Sequence, residues 1–459
     1  MEKDLTQGNI TRGILSFAAP MIAGNLLQQL YNVADTLIVG QFLGAGPLAA
    51  VGSSFTLMTF LTSIILGLCM GSGVVFSMRY GAGDIEGLQK SIVFSAFFIA
   101  LFTFIINIIV FIFTDNILAI LQIPKEIYAD TRTYLSIIFM GIGFTAIYNY
   151  FAALLRAIGN SITPLLFLAV SSILNIVGDL ALILIFDMGV AGAALATTLS
   201  QGVSALLIAI YAIRKVSFVH VHRHHLKIDR PLARIIVKYS LLTCVQQSIM
   251  NFGILMIQGL VNSFGVTVMA AFAAAVKIDN FAYMPVQDFG NAFSTYIAQN
   301  FGAQKTERIQ QGIRSAICTA IIFCIVISII VFFFGSILMC IFISPQETEI
   351  IAIGAQYLRI EGACYCGIGC LFLLYGLYRG IGRAGISVIL TIISLGTRVV
   401  LAYLLAPIPA IGLLGIWWAI PIGWFLADAV GLIYWRLRRK QMLPMQVTSP
   451  SDSVRLHNQ

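Results

Sequence analysis

The chain has 459 residues, of which 59% are hydrophobic and only 10% charged, less than half the roughly 25% charge of an ordinary soluble domain. That composition excludes water as the main solvent. The formal net charge of +8 does not indicate nucleic acid, because the basic residues follow the loops.

Apolar runs long enough to cross a bilayer recur almost end to end, and they are continuous instead of alternating with period two, which excludes a β-barrel. The predicted fold is an all-α polytopic membrane protein with twelve spans: 14–39, 47–77, 92–113, 133–154, 163–185, 189–212, 236–263, 267–298, 315–343, 352–377, 386–406 and 411–435. The polar start Met1 to Arg12 has mixed charge and no cleavage-site pattern, so span 1 is expected to stay in the membrane. Of the 27 Lys and Arg, 22 lie at the start, in every second loop and in the tail, with seven between Arg214 and Lys238. This positive-inside asymmetry predicts that both termini are cytoplasmic and that the number of spans is even. Residues 1–213 are then an N-terminal lobe of six spans, 214–234 a basic cytoplasmic linker, 235–440 a C-terminal lobe of six, and 441–459 a tail. His220, His222, His224 and His225 in the linker have no acidic or Cys partners, and a solvated basic loop is the favoured reading over a metal site. The eight Cys read as small packing residues.

Ionisable residues inside apolar spans are costly and tend to face the bundle interior, so each is a functional candidate. In span 1, Asn25, Gln28, Asn32 and Asp35 recur at helical spacing behind Pro20, a predicted kink. Span 5 carries Ser172, Asn175 and Asp179 on one face, and span 6 carries Thr197 with Gln201 one turn on. Asp35, Asn175, Asp179 and Thr197 offer hard oxygens that suit Na+ or a proton and not a soft metal. In span 7, Gln247, Asn251, Gln258 and Asn262 share a face, as do Lys277, Asp288 and Thr295 in span 8. Asp279 falls on the opposite side from Lys277 in an ideal helix, with Pro285 beyond it. Glu361, Arg398 and Asp428 add charges in spans 10, 11 and 12. Neutralisation within the lobe, for example Glu361 with Arg398, competes there with a substrate or proton site also including Gln28, Asn32, Gln247, Asn251, Lys277 and Asp288.

The second half echoes the first at a nearly constant offset along the chain. Gly44 matches Gly265, Tyr80-Gly81-Ala82 matches Phe301-Gly302-Ala303, Arg156-x-Ile158-Gly159 matches Arg379-x-Ile381-Gly382, and Gly189 matches Gly412. With six spans per repeat, the repeats are expected to be parallel and pseudo-symmetric, with a substrate site between them. The offset carries Asp35 to Met256, Asn175 to Arg398, Asp179 to Ala402 and Thr197 to Ile420. The fold is duplicated but the acidic cluster is not, which predicts a specialised cation site in the N-terminal lobe.

Several motifs together resemble the multidrug and toxic compound extrusion (MATE) family over about residues 10–440. They are Asp35-x-x-x-x-Gly40-x-x-x-Gly44 behind Pro20, Leu155-Arg156-Ala157-Ile158-Gly159-Asn160 with Thr163-Pro164, Asn175-Ile176-x-x-Asp179, Gly192-Ala193-Ala194-x-Ala196-Thr197 and Ala298-Gln299-Asn300-x-Gly302-Ala303. The pattern is similar to that of bacterial MepA-like exporters. This resemblance implies two six-helix lobes around a V-shaped cleft, alternating access, and export of drug-like, cationic or aromatic compounds in exchange for Na+ or H+ across the bacterial cytoplasmic membrane. It also implies no cofactor, no enzymatic step and no obligate protein partner, with the ion taken at Asp35, Asn175, Asp179 and Thr197. Some members carry a Glu in span 7 where this chain has Gln246 and Gln247. The rival expectations are a flippase for lipid-linked sugars, with more spans and a more cationic cavity, and a membrane-embedded enzyme, for which no catalytic motif is present.

Overall fold

Backbone N–H and C=O groups in lipid have no water to bond, so an apolar run there must satisfy itself as a helix. In the computed structural model, which describes residues 3–120, 123–220 and 229–443, every predicted span is helical. The helices are α1 Ile10–Phe42, α2 Ala45–Gly81, α3 Ile85–Ile112, α4 Thr114–Ile120, α5 Lys125–Ala157, α6 Ile162–Leu180, α7 Gly189–Lys215, α8 Arg230–Asn262, α9 Val266–Gly302, α10 Thr306–Met339, α11 Thr348–Ala363, α12 Tyr365–Gly380, α13 Ala384–Leu405 and α14 Leu413–Met442. Eleven elements are long and apolar enough to cross a membrane, and α11 with α12 makes a twelfth that bends by 54° at its break. Predicted span 10 is therefore two helices joined at Cys364, and α4 is a short helix that apolar periodicity did not show. A π-helical turn, Ala181–Ile185, extends α6. His222, His224 and His225, most of the basic linker, and residues 444–459 of the tail lie outside the described residues; His220 Nδ1 lies 3.3 Å from the Ser217 carbonyl.

The sequence repeat is a structural repeat. Helix α2 and its counterpart α9 have the same length, and the step from Gly44 to Gly265 ahead of them is kept from Gly81 to Gly302 at their ends. Helix α5 corresponds in the same way to the α11–α12 pair, Lys125 matching Thr348 at the start and Ala157 matching Gly380 at the end. Backbone conformation follows: positive φ recurs at Gly44 (91°) and Gly265 (99°), at Gly159 (87°) and Gly382 (77°), and at Gly189 (56°) and Gly412 (51°). A side chain is strained in that region, so the same turn chemistry is needed twice.

The lobes meet along α2, α8 and α9, where small residues let backbones touch. A Cβ at Gly67 would strike the backbone of Cys244, and one at Gly71 the backbone of Ser240. Ser72 and Ser240 share a hydroxyl hydrogen bond of 2.9 Å. Gly81 presses on the Gln299 carbonyl and Gly302 on that of Met78. Contacts of this closeness gather at the end of the bundle that carries Arg79, Arg156 and Arg308.

At the same end the segment before α1 forms a strap. Leu5 and Thr6 are buried; the Leu5 amide donates to Gln299 Oε1 at 3.2 Å, and Asn300 Nδ2 donates to the Leu5 carbonyl. Arg308 donates to the carbonyls of Leu5, Gln7 and Gly8, and Lys305 to that of Thr6. On the other lobe, the Lys3 amide donates to the Gly159 carbonyl. Partial burial works against the Asp4 charge, but hydrogen bonds from the Thr6 side chain and backbone outweigh it and hold Asp4 below the usual carboxylate range.

Candidate functional site

Helix α1 is continuous through Pro20, although proline removes one bond of its ladder. Its polar stripe does not face one partner. The outer part turns into the N-terminal lobe: the carboxyl of Asp35 lies within hydrogen-bonding reach of Asp179 on α6. One turn back on α6, Asn175 Nδ2 donates to Thr197 Oγ1 of α7 at 3.2 Å. Asn175 is 1% exposed and Asp179 0%. Tyr31 of α1 and Tyr134 of α5 border the two carboxyls, and Gln28 lies beside Tyr31.

Asp35 Oδ1, both Asp179 oxygens and Asn175 Oδ1 are buried without a hydrogen-bond donor among the described residues. Buried oxygens of this kind are strongly unfavourable unless a proton or cation satisfies them. The donor set is hard and small, and no group of three or more His, Cys, Asp or Glu able to hold a metal ion occurs among the described residues. In the C-terminal lobe the places of Asp179 and Thr197 are filled by Ala402 and Ile420, each 0% exposed, while Met256 and Arg398 stand at those of Asp35 and Asn175, so neither acid is repeated.

That lobe has a different buried cluster. Tyr365, the first residue of α12, donates to Asp279 Oδ1 at 2.7 Å. Glu361, in the last turn of α11, reaches the same carboxyl and also Tyr357. Arg398 lies close enough to act on both acids but makes no ion pair within salt-bridge distance among the described residues, where the pairs are Arg79–Asp84, Lys90–Glu86 and Arg132–Asp115. A simple Glu361–Arg398 pair is thus replaced by a two-acid, two-tyrosine cluster at the break in span 10. Asp279 and Lys277 do point to opposite sides, but the buried side is that of Asp279 at 4% exposure, while Lys277 is exposed with Nζ 5.7 Å from the Phe342 ring centre.

A third group lies between the lobes. Asn25 Nδ2 of α1 donates to Asp288 Oδ1 of α9. Asn291 lies beside Asp288 and accepts from Arg379 at 2.8 Å, and Ser294 bonds Arg379 Nε at 3.2 Å. Gln247 and Asn251 bond within α8, where Asn251 Nδ2 donates to the Gln247 carbonyl, and Asn32 gives its carbonyl to Thr36.

The family model described as MatE matches residues 20–180 and again 243–404, so that one model fits the chain twice. The "Probable multidrug resistance protein YpnP" of Bacillus subtilis (strain 168) is 31% identical over 401 residues, covering 85% of this chain and 87% of that protein. The "Multidrug export protein MepA" of Staphylococcus aureus (strain MSSA476) is 26% identical over 434 residues, 94% of each. Among solved structures, the outward-facing conformation of a multidrug resistance MATE family transporter of the MOP superfamily matches with a TM-score of 0.90 and 25% identity, covering 95% of this chain and 98% of that one.

Proposed function

This chain belongs to the MatE family, and from that premise we propose that it is a secondary antiporter that exports drug-like compounds in exchange for Na+ or H+ bound at Asp35, Asp179, Asn175 and Thr197. The observation that carries the reading is the meeting of two carboxyls from α1 and α6 inside one lobe, with four buried oxygens lacking a donor. Coupling requires the ion to bind one conformation better than another. Helix α1 supplies that difference, because it carries Asp35 of the ion site and bonds the opposing lobe through Asn25. An ion held between α1 and α6 favours the position of α1 that brings Asp35 to Asp179; its release frees α1 to bend at Pro20. The closed seam at the basic end corresponds to a cleft facing outward, in keeping with the conformation of the matched MATE transporter. Compounds of the drug-like, cationic or aromatic class fit the names of the relatives and the apolar walls of the helices. The flippase alternative expects spans beyond twelve, and the described helices supply twelve when the bent pair is one span.

The test is reconstitution in proteoliposomes with sodium and pH gradients imposed separately, reading efflux of the cationic dye ethidium. One gradient is expected to drive efflux, and Asp35→Asn and Asp179→Asn each to abolish that drive. Intact ion-driven efflux in both variants overturns the assignment.

A further inference from the structure

Among the described residues, the contact between Asn25 and Asp288 is the place where the ion-site helix bonds a buried acid of the other lobe. Asp288 is 3% exposed; its Oδ1 accepts from Asn25 while Oδ2 has no partner among the described residues. Two repeat-related arginines stand near it, one directly and one through Asn291. Arg379 is engaged by Asn291 and Ser294, and Arg156 from α5 is near enough to act on the carboxyl without pairing to it, its own Nε being unpartnered. The step that carries Gly44 to Gly265 and Gly81 to Gly302 places Gly67 at the equivalent point of the first lobe, flush against the backbone of Cys244. One lobe therefore uses this position for close packing, and the other places a carboxylate there.

We propose that Asp288 is a positioning residue through which the C-terminal lobe reads the state of α1, so that the Asn25–Asp288 bond converts ion binding at Asp35 into movement between lobes. This rests on Asp35 and Asp179 being the coupling site. Helix geometry makes the bond a sensitive reporter. Asn25 stands five residues beyond Pro20, about 7.5 Å along the axis at about 1.5 Å per residue. A bend of about 20° at the proline moves it sideways by about 2.5 Å, which breaks a hydrogen bond. At Gly24, one residue earlier, α1 lies against Leu165 and Leu168 of α6, 3.7 Å from where a Cβ would be. Adjacent residues of α1 thus touch opposite lobes, and displacement of the helix changes one contact at the expense of the other. Lobe separation would take from Asp288 both its Asn25 donor and the nearby Arg156 guanidinium, which stay with the first lobe.

The experiment measures spin-label distances between Gln41→Cys on the first lobe and Ser263→Cys on the second, both exposed, in a cysteine-depleted background in nanodiscs. Distances are recorded with Na+ present or replaced, and at pH 5.5 and 8. The unsubstituted background is expected to shift its distance distribution with one of these ions. Asn25→Ala and Asp288→Ala are each expected to lose at least about three-quarters of that shift, while the exchanged pair, Asn25→Asp with Asp288→Asn, restores it, which loss of folding would not allow. An ion-dependent shift that persists undiminished in Asp288→Ala, or an exchanged pair no better than the single variants, overturns the inference. If Asp35→Asn abolishes the shift while Asp288→Ala keeps it, the coupling site stands and this role for Asp288 falls. A background that shifts with neither ion overturns both.

Discussion

Replacing Gly302 by alanine tests whether the seam at the basic end defines the closed state. A Cβ there would be driven into the carbonyl of Met78, with the Ala82 amide nitrogen 3.1 Å away. Both neighbours are backbone, so no flexible side chain can move aside, and α2 and α9 must separate. Overpacking at such a site costs about 1–3 kcal/mol, and the cost falls only on the conformation in which these helices touch. A two-state balance then moves by about 5- to 150-fold toward the conformation open at this end. Ser77, 1% exposed on α2, provides a readout: Ser77→Cys in a cysteine-depleted background should react with a water-soluble maleimide faster by a similar factor once Gly302→Ala is added. Gly52→Ala is the control, since nothing lies within 4 Å of its Cβ position, and its labelling rate should not change. Equal rates in the Gly302 and Gly52 variants would refute the claim that backbone contact at this seam sets the conformational balance.

Thr197→Val removes the hydroxyl that accepts from Asn175 and costs about 1 kcal/mol, so half-maximal driving-ion concentration in the efflux assay should rise about fivefold with maximal rate little changed. Tyr365→Phe removes one donor from buried Asp279; a loss of about 1 kcal/mol or more is expected, read as a lower thermal unfolding midpoint in detergent, whereas an unchanged midpoint would deny that bond a stabilising role. Arg308→Ala deletes three bonds to the strap carbonyls, and the Leu5 amide should then exchange with deuterium about tenfold faster or more, against no change if the strap is held by Leu5 burial alone.

The polar cluster of the N-terminal lobe was legible because a carboxylate inside an apolar span is too costly to be there without a partner or a ligand, and because the repeat carries Asp35 and Asp179 to Met256 and Ala402, neither of them an acid. What spacing could not show is that the stripe on α1 divides, with Asn25 going to one lobe and Asp35 to the other, since periodicity fixes a face and not the partner of that face. Asp279 illustrates a related loss. Helical periodicity sets it opposite Lys277, but it does not say which side is buried, and the buried side is that of Asp279. The break at Cys364 was hidden because no proline or charged turn marks it inside predicted span 10, and Glu361 and Tyr365 on either side of it, four residues apart, share the face that meets Asp279. The strap escaped detection for a simpler reason: a short run of polar and small residues has no period to read.

The partners of Leu5 on α9 and α10 lie 294 to 303 residues further along the chain. At about 5–20 residues per second of synthesis, Leu5 must remain unpaired for roughly 15–60 s before Gln299 and Arg308 exist to receive it. The N-terminal lobe can insert and pack during that interval, but this seam cannot be sealed until α9 and α10 are in place. Closure at the basic end is therefore a late event in biogenesis, and a chain interrupted after its first lobe would leave Leu5 and Gly81 without the surfaces they pack against.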